Sequence, residues 1–341
     1  MPNLPSQKKA NTINWGIIGC GNVTEFKSGP AFNKSPQSSL VAVMRRDAEK
    51  AKDYAQRHHI QKWYNNASQL INDPEINAIY IATPPKYHEE YAIASMQAGK
   101  PVYVEKPMSI DTAACIRMLN FSKKKGIKLC VAHYRRALPM FQKIKELLAD
   151  QVIGDIRFVN IRLLQKDQSE MIAKTEKNWR VDPTIAGAGL FYDLAPHQLD
   201  LVFYFFGKEQ NACGFATNQS GLYQAEDIVT GNMLLKDNIL FNGLWCFTIP
   251  ENLEEDLFEI SGSRGKISFP VFGHTVLIET PGKKQVLNFE KLPHIQQPMI
   301  EKVVQYFLGN GDNPCSAIDA IQSMSVMEKF VYGNSKKAGS L

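Results

Sequence analysis

Residues 13–24 read Ile-Asn-Trp-Gly-Ile-Ile-Gly-Cys-Gly-Asn-Val-Thr, and this stretch decides the fold of the first half of the chain. Its first part, Ile13 to Ile18, is a short apolar segment typical of a buried β-strand. The segment runs directly into the pattern G-x-G-x-x-T, in which Gly19 and Gly21 suit a tight turn and a close backbone approach to a pyrophosphate. Thr24 stands at the third position, where Gly or Ala is usual. A strand, this loop and a short helix predict a dinucleotide-binding unit whose contacts come from Gly19, Cys20, Gly21, Asn22 and Val23.

The composition is that of a globular protein with two domains. A length of 341 residues exceeds one ordinary core, and 44% hydrophobic with 21% charged residues is typical of folded proteins. The net charge of +5 is spread along the chain, which supports an anionic small ligand weakly and nucleic acid not at all. Because residues 1–14 are polar and no apolar run approaches membrane-spanning length, we expect a cytoplasmic protein without a membrane segment. The six scattered cysteines predict reduced thiols and no metal ligand.

Predicted strands and helices alternate as far as residue 134, which indicates a parallel sheet with right-handed crossovers. A helix is expected from Ile110 to Lys125, with Ser109 as its N-cap and Gly126 as its stop. Gly29-Pro30 should interrupt the helix that follows the glycine loop. The further strands are expected at Leu40–Met44, Lys62–Tyr64, Ala78–Ala82, Val102–Val104 and Leu129–Ala132. We assign residues 1–134 to a Rossmann-type dinucleotide-binding domain.

The second strand ends in Arg45-Arg46-Asp47, where a bound dinucleotide would place its adenosine ribose. An acid at this position hydrogen-bonds the ribose 2′-hydroxyl of NAD, whereas an arginine pair suits the 2′-phosphate of NADP. Asp47 is better placed to cap the helix that begins at Ala48. We therefore expect NADP as the cofactor, with NAD as the alternative.

Two other strands end in residues that should lie at the same edge of the sheet. The fourth strand is followed by Ala82 and then Thr83-Pro84-Pro85, and the fifth by Glu105-Lys106-Pro107. Because Pro107 restrains the backbone behind it, Lys106 should be held at the ligand crevice. Glu105 could position Lys106 or contact the ribose. His88, which opens the next helix, could face the ribose or cap the helix.

The pattern changes after Ile153. Longer segments with strand periodicity follow one another at Ile156–Leu163, Asp227–Leu235, Ile239–Thr248, Asp256–Ser261 and Lys266–Phe269. Such a run predicts a second, α+β domain over residues 135–341 with a large, mostly antiparallel open sheet. An open sheet needs a cover for its second face, so we expect a homodimer or homotetramer that forms through it.

The segment from Ala186 to Asp200 carries the other candidate chemical groups. Asp193 should lie in the N-cap region of an apolar helix, with Pro196 in the first turn and His197 on the same face as Asp193. The helix dipole would then keep His197 neutral at pH 7, and Asp193 could hold the orientation of the ring. The pair could equally be a capping acid and a buried core histidine. A metal site that adds Asp200 is less favoured, because no cysteine or second histidine accompanies it.

As a set, GCGNVT after the first strand, EKP after the fifth, and D-x-x-x-H in a segment rich in Gly and Ala resemble the glucose–fructose oxidoreductase/inositol dehydrogenase (Gfo/Idh/MocA) family. The resemblance runs from about Ile13 to the final helix, with Thr24 and Ala195 as departures where Gly is common. Members of that family oxidise or reduce sugars, cyclitols and their derivatives with a nicotinamide cofactor. The resemblance therefore implies a sugar or polyol as the substrate.

The resemblance also implies roles for individual residues. Lys106, Asp193 and His197 would be the catalytic set, and Thr83, Pro84 and His88 would belong to the cofactor loop. Trp179 and Arg180 would border nicotinamide and substrate, and Tyr134 and Arg135 would line the substrate site together with Arg180 and the catalytic set. Two alternatives remain open: a non-catalytic sensor that binds a dinucleotide and a partner protein, and an oxidoreductase that never releases its cofactor. A sensor alone has no need of Lys106, Asp193 and His197 together.

Overall fold

The computed structural model describes residues 11–167, 169, 171 and 179–333. In this part of the chain the first half forms a parallel sheet of six strands: β1 (Ile13–Ile18), β2 (Ser38–Met44), β3 (Lys62–Tyr64), β4 (Ala78–Ile81), β5 (Val102–Val104) and β6 (Leu129–Val131). Their order across the sheet is β3-β2-β1-β4-β5-β6. The order reverses between β1 and β4, and a ligand crevice is expected outside the carboxyl ends of the strands at such a point. The predicted Rossmann sheet is confirmed.

The helices of this half follow the local signals closely. They are α1 (Asn22–Phe26), α2 (Gly29–Lys34), α3 (Ala48–Arg57), α4 (Ala67–Asn72), α5 (His88–Gln97) and α6 (Thr112–Lys125). Gly29-Pro30 opens α2, so α1 is short as predicted. Asp47 caps α3 by accepting a hydrogen bond from Lys50 N at 3.1 Å, also as predicted. The N-cap predicted for α6 was wrong: Asp111, not Ser109, accepts from Ala114 N at 2.7 Å, since α6 begins at Thr112.

The second half contains a separate sheet of eight strands within the described residues. They are β7 (Ile156–Leu164), β8 (Glu209–Thr217), β9 (Ile228–Leu235), β10 (Leu240–Cys246), β11 (Glu255–Gly262), β12 (Gly265–Phe269), β13 (Thr275–Thr280) and β14 (Lys283–Asn288). The order is β14-β13-β12-β11-β7-β10-β9-β8, in which β7 and β10 pair in parallel and the other neighbours are antiparallel. The sequence patterns missed β8, β13 and β14. β8 and β14 are the two edges of the sheet, where a strand needs little apolar alternation.

Helices cover one face of this sheet. The helices described in this half are α7 (Pro139–Ala149), α8 (Pro183–Ala186), α9 (Gly189–Phe206), α10 (Gln297–Leu308) and α11 (Ala317–Tyr332), and α7, α9 and α11 place aromatic rings against the sheet. The ring of Phe330 on α11 lies so close to β9 that a Cβ on Gly231 would come within 2.4 Å of it. α10 instead returns to the first half, where Phe307 packs on Trp15 with 5.6 Å between ring centroids. None of the helices in the described ranges is long and apolar enough to cross a membrane.

Candidate active site

A cleft of about 680 Å³ lies at the carboxyl ends of β1, β2, β4 and β5. Most of the residues predicted to bind a cofactor line it: Gly19, Cys20, Gly21, Asn22, Val23, Arg45, Arg46, Ala82, Thr83, Pro84, Glu105, Lys106, Trp179 and Arg180. Asp193 joins them from the second half of the chain. Sequence reasoning missed Tyr87, Tyr91 and Tyr192 in this lining. Tyr87 and Tyr91 stand four residues apart directly after the Thr83-Pro84-Pro85 loop, a spacing that could have identified them as one helix face.

The glycine loop has the shape that a pyrophosphate needs. Gly19 has a φ of +98°, and a Cβ there would lie 2.8 Å from Ala82 C and from Thr83 N. A Cβ on Gly21, by contrast, would meet nothing closer than Gly19 O at 4.0 Å. The hydroxyl oxygen of Thr83 is buried and has no hydrogen-bond partner among the described residues. An open backbone surface beside an unsatisfied buried hydroxyl fits a dinucleotide in this cleft.

Two arginines stand at the end of β2, at the far side of the same cleft. The Arg45 guanidinium reaches back to Cys20 O at 3.4 Å, and the Cζ atom of Arg46 lies 5.0 Å from the centroid of the Tyr87 ring. Asp47 lines the cleft as well, but its carboxylate is engaged in capping α3. Arg45 and Arg46 could therefore bind an anionic ligand, whereas the Asp47 carboxylate already accepts the capping hydrogen bond from Lys50 N.

At the near side of the cleft, an ion-pair network joins the two halves of the chain. Lys106 Nζ donates to Asp193 Oδ1 at 2.9 Å and to the Asp193 carbonyl oxygen at 2.7 Å. Arg180 Nε donates to the other carboxylate oxygen, Asp193 Oδ2, at 2.9 Å. Burial favours a raised pKa for Asp193, but Lys106 and Arg180 outweigh it and hold the pKa well below its ordinary value. Asp193 is therefore ionised and fixes both cations.

The helix that carries Asp193 starts earlier than the sequence predicted. α9 begins at Gly189, so Asp193 is not in the N-cap region and Pro196 lies inside the helix. Pro196 has no N–H, and a proline ring displaces the carbonyl four residues earlier, here that of Tyr192. The next carbonyl along, that of Asp193, accepts its hydrogen bond from Lys106. The prediction failed because the small residues before Leu190 were read as a loop, although Gly189, with a φ of +59°, already opens the helix.

His197 lies one helical turn beyond Asp193 and is 5% exposed. Its ring sits between two aromatic rings, Tyr134 at 5.2 Å and Phe272 at 5.7 Å between centroids, both edge-on. Burial and then the neighbouring Lys106 and Arg135 hold the pKa of His197 well below its ordinary value. The imidazole is therefore neutral at pH 7, as expected, but the helix dipole is not the cause. His197 lies more than two turns from the start of α9, beyond the reach of the dipole.

Asp193 does not hold the imidazole of His197 in the described structure. Both of its carboxylate oxygens bond to cations, and His197 Nδ1 is buried without a hydrogen-bond partner among the described residues. The two side chains are linked through Lys106, which bonds to Asp193 and lowers the pKa of His197. Asp193 therefore fixes the position of the Lys106 ammonium.

Two predicted cofactor contacts have a different environment from the one expected. His88 is buried behind the cleft wall, where Nε2 lies 2.7 Å from Thr83 O and Nδ1 lies 3.0 Å from Pro107 O. It thus ties together the loops after β4 and β5. The carboxylate of Glu105 lies away from the Lys106 ammonium and accepts from the Tyr80 hydroxyl at 2.5 Å and Gln296 Nε2 at 2.7 Å. Gln296, just before α10, is a residue that sequence reasoning missed.

Asp200, considered as a metal ligand, is occupied by an arginine. Arg136 Nε and Nη2 each donate to the Asp200 carboxylate at 2.8 Å. This bidentate pair is buried and clamps α9 against the segment Tyr134–Ala137 that follows β6. In the described residues, no group of three or more His, Cys, Asp or Glu side chains is arranged to hold a metal ion.

Profiles of known protein families match both halves of the chain. Residues 13–133 match the profile described as "Oxidoreductase family, NAD-binding Rossmann fold", and residues 141–268 match the "GFO/IDH/MocA C-terminal domain". The chain is 44% identical to "Oxidoreductase P35" of Formosa agariphila, over 93% of this chain and 98% of that protein.

Two other similar proteins carry more specific names. A trans-1,2-dihydrobenzene-1,2-diol dehydrogenase of Xenopus laevis is 32% identical, over 84% of this chain and 83% of that protein. A levoglucosan dehydrogenase solved in complex with NADH superposes with a TM-score of 0.86 at 20% identity, over 95% of this chain and 97% of that one. The latter likeness establishes the shared fold.

Proposed function

The chain belongs to the Gfo/Idh/MocA family of oxidoreductases, and from this premise we propose that it transfers hydride between NADP and a secondary alcohol or ketone carbon of a sugar, cyclitol or related polyol. The observation that carries the proposal is the hydrogen bond from Lys106, at the end of β5, to Asp193, one turn before His197 on α9. It brings the Lys106 ammonium, which lines the cleft, close to the part of α9 that carries His197. The His197 imidazole itself is buried and lies outside the cleft lining, next to Tyr134 and Phe272.

The cleft offers a distinct set of groups to each part of the cofactor. Backbone N–H groups of the loop Gly19–Val23 would hold the pyrophosphate, and Arg45 with Arg46 would hold the adenosine ribose and its 2′-phosphate. The Thr83 hydroxyl, Trp179 and Arg180 would border the nicotinamide. When bound, the nicotinamide supplies the hydride chemistry, and the protein supplies orientation and proton transfer.

Lys106 would bind the reacting oxygen of the substrate. An ammonium has three N–H donors, and Asp193 occupies two of them in the described structure. The third would donate to the hydroxyl oxygen and stabilise the negative charge that develops on it during oxidation. Asp193, fixed by Arg180, would hold the ammonium in place for that contact.

His197 would move the proton. In oxidation the imidazole of His197 would accept the hydroxyl proton as the alcohol becomes a carbonyl and its hydride leaves to the cofactor. In reduction the same imidazole, now protonated, returns the proton to the carbonyl oxygen. Because burial and nearby cations keep the ring neutral, His197 is able to accept a proton at pH 7.

The first test replaces His197 with Ala. We expect turnover to fall by about 10²- to 10⁴-fold, the usual contribution of a positioned acid or base, while nucleotide affinity stays unchanged. The measurement is steady-state oxidation and reduction of a panel of sugars and inositols with NADP(H), combined with nucleotide titration. His59→Asn, on an exposed residue beyond α3, is the matched control. Near-normal turnover of His197→Ala on an authentic substrate would remove the proton-transfer role.

The second test concerns the choice of cofactor. Replacing Arg45 and Arg46 with Ala should weaken NADP binding by about 10-fold or more, since charge-assisted contacts to a 2′-phosphate are lost, and should affect NAD much less. Nucleotide affinities from fluorescence titration provide the comparison. An equal loss for both nucleotides would assign the specificity to Asp47 and point to NAD.

A further inference from the structure

We propose that the substrate carries a carboxylate, as in a uronic or aldonic acid, and that Arg135 binds it beside His197. This inference rests on the proposed function and narrows its substrate class. The family resemblance implies only that Arg135 lines the substrate site. We infer a negatively charged substrate because Arg135 is buried and no carboxylate of the described chain contacts it.

Arg135 is 5% exposed, and its partners in the described structure are few. Nη1 donates to the carbonyl oxygen of Val271 at 2.6 Å, and Nε is buried without a hydrogen-bond partner. No carboxylate lies within 4 Å of the guanidinium among the described residues, and the electrostatically coupled Asp256 uses its oxygens on Val271 N and Phe272 N. A buried guanidinium that no carboxylate contacts directly is incompletely compensated for its lost hydration, and a ligand carboxylate would supply the missing contact.

The other buried arginines of the described residues, Arg136 and Arg180, are both bonded to carboxylates. Arg136, the next residue, makes the bidentate pair with Asp200. Arg180 bonds to Asp193. Arg136 and Arg180 are both bonded to carboxylates of this chain, whereas Arg135 is bonded to none.

The position of Arg135 relative to His197 is set by two shared aromatic rings. The Cζ atom of Arg135 lies 4.4 Å from the ring centroid of Phe272 and 5.4 Å from that of Tyr134. The same two rings flank the His197 imidazole at 5.7 and 5.2 Å. A sugar held between Lys106 and His197 would therefore have its neighbouring carbons within reach of Arg135.

The chemistry of one guanidinium favours a carboxylate over a phosphate. A planar guanidinium fork matches a carboxylate in two parallel hydrogen bonds and balances its single charge. A phosphate dianion would leave one charge uncompensated in a buried place. Lys106 and Arg180 are both bonded to the Asp193 carboxylate, so Arg135 is the buried guanidinium in the described structure that has no carboxylate bonded to it.

The test compares acids with their neutral counterparts on the full-length wild-type protein loaded with NADP or NAD. D-Glucuronate, D-galacturonate and D-gluconate are paired with D-glucose, D-galactose and D-glucitol, and D-glucose 6-phosphate is a separate arm. We expect at least one acid to raise the unfolding temperature and to bind at least about 10-fold more tightly than its neutral partner, as expected when a charged hydrogen-bond partner is missing. Equal or weaker binding of all three acids, or preference for the phosphate, would overturn the inference.

Two variants separate a binding role from a structural one. Arg135→Gln can still donate to Val271 O but lacks the charge, so it should lose the preference for the acid while retaining nucleotide affinity. Arg135→Lys should keep part of the preference, and Arg157→Gln, on an exposed residue of β7, should keep all of it. An unchanged preference in Arg135→Gln would refute the assignment. Binding of the acid that depends on Arg135 but gives no turnover would instead contradict the proposed reaction and leave the carboxylate site standing.

Discussion

At the scale of single residues, one carboxylate of the candidate site binds two cations. Asp193 is bonded to both Lys106 and Arg180, so its carboxylate stays ionised although it is largely buried. The same arrangement places Lys106 close enough to His197 to oppose protonation of the imidazole. The charge of Lys106 therefore helps to keep the His197 imidazole neutral.

This coupling predicts that Lys106→Met raises the pKa of His197. After burial, Lys106 is the charge that lowers this pKa most, so its removal lessens the cost of forming an imidazolium. The His197 imidazole of this variant should therefore begin to protonate at a higher pH than that of the wild type. Titration of His197 by NMR measures the shift, and Lys52→Met, an exposed lysine on α3, should leave the titration unchanged. An unmoved pKa in Lys106→Met would show that the two groups are not neighbours.

At the scale of elements, the loop between β1 and α1 forms the part of the cleft where we propose that the pyrophosphate of a dinucleotide binds. Gly19 is required for the fold, because its positive φ and its contact with the chain after β4 leave no room for a side chain. Gly21 has no such constraint, because space lies beside it, and in the proposed complex the pyrophosphate would occupy this space. The sequence motif does not distinguish the two glycines, but the structure does: a side chain at position 19 would clash with the chain, and one at position 21 would not.

The difference yields a paired prediction. Gly19→Ala should lower the free energy of unfolding by about 1–3 kcal/mol or more through backbone strain and steric overlap. Gly21→Ala should leave stability within about 0.5 kcal/mol and weaken nucleotide binding at least about 10-fold, since its methyl group would hold the pyrophosphate away from backbone donors. Urea denaturation and nucleotide titration measure the two effects. Normal nucleotide affinity in a folded Gly21→Ala protein would place the pyrophosphate elsewhere.

The elements also show where sequence reasoning succeeded. The strand ends carrying Arg45, Thr83 and Lys106 were identified correctly because local apolar runs and prolines mark them. The start of α9 was not, since Gly and Ala before Leu190 carry no apolar period and Pro196 suggested a first turn. Contacts such as those of Gln296 with Glu105 and Phe272 with His197 join residues far apart in the chain, and no local pattern encodes them.

At the scale of the whole molecule, the large sheet has one covered face and one open face. The covered face packs against α9 and α11, whereas the open face carries Phe158, Phe215 and Leu240, which are 39%, 80% and 60% exposed. Leu240 pairs with Phe158 across β10 and β7, and paired residues point to the same side of a sheet. Exposed apolar side chains in such an array are typical of a protein–protein interface.

We therefore expect a homodimer or homotetramer that buries this face. Leu240→Glu should shift the assembly toward monomers, because it places a charge among apolar side chains without a partner. Sedimentation velocity gives the subunit number for the wild type and the variant. Ile318→Glu, on an exposed position of α11 at the opposite side of the sheet, is the control. A wild-type monomer would contradict the expectation, as would a Leu240→Glu variant that assembles normally.

The central claim is that the cleft brings a nicotinamide to the pair formed by Lys106 and His197. A crystal structure of the protein with NADPH tests it most directly. We expect the pyrophosphate to lie against Gly19–Val23 and the reactive face of the nicotinamide to face the space between the Lys106 ammonium and the His197 imidazole. A nucleotide bound elsewhere, or a nicotinamide whose reactive face points away from both side chains, would contradict it.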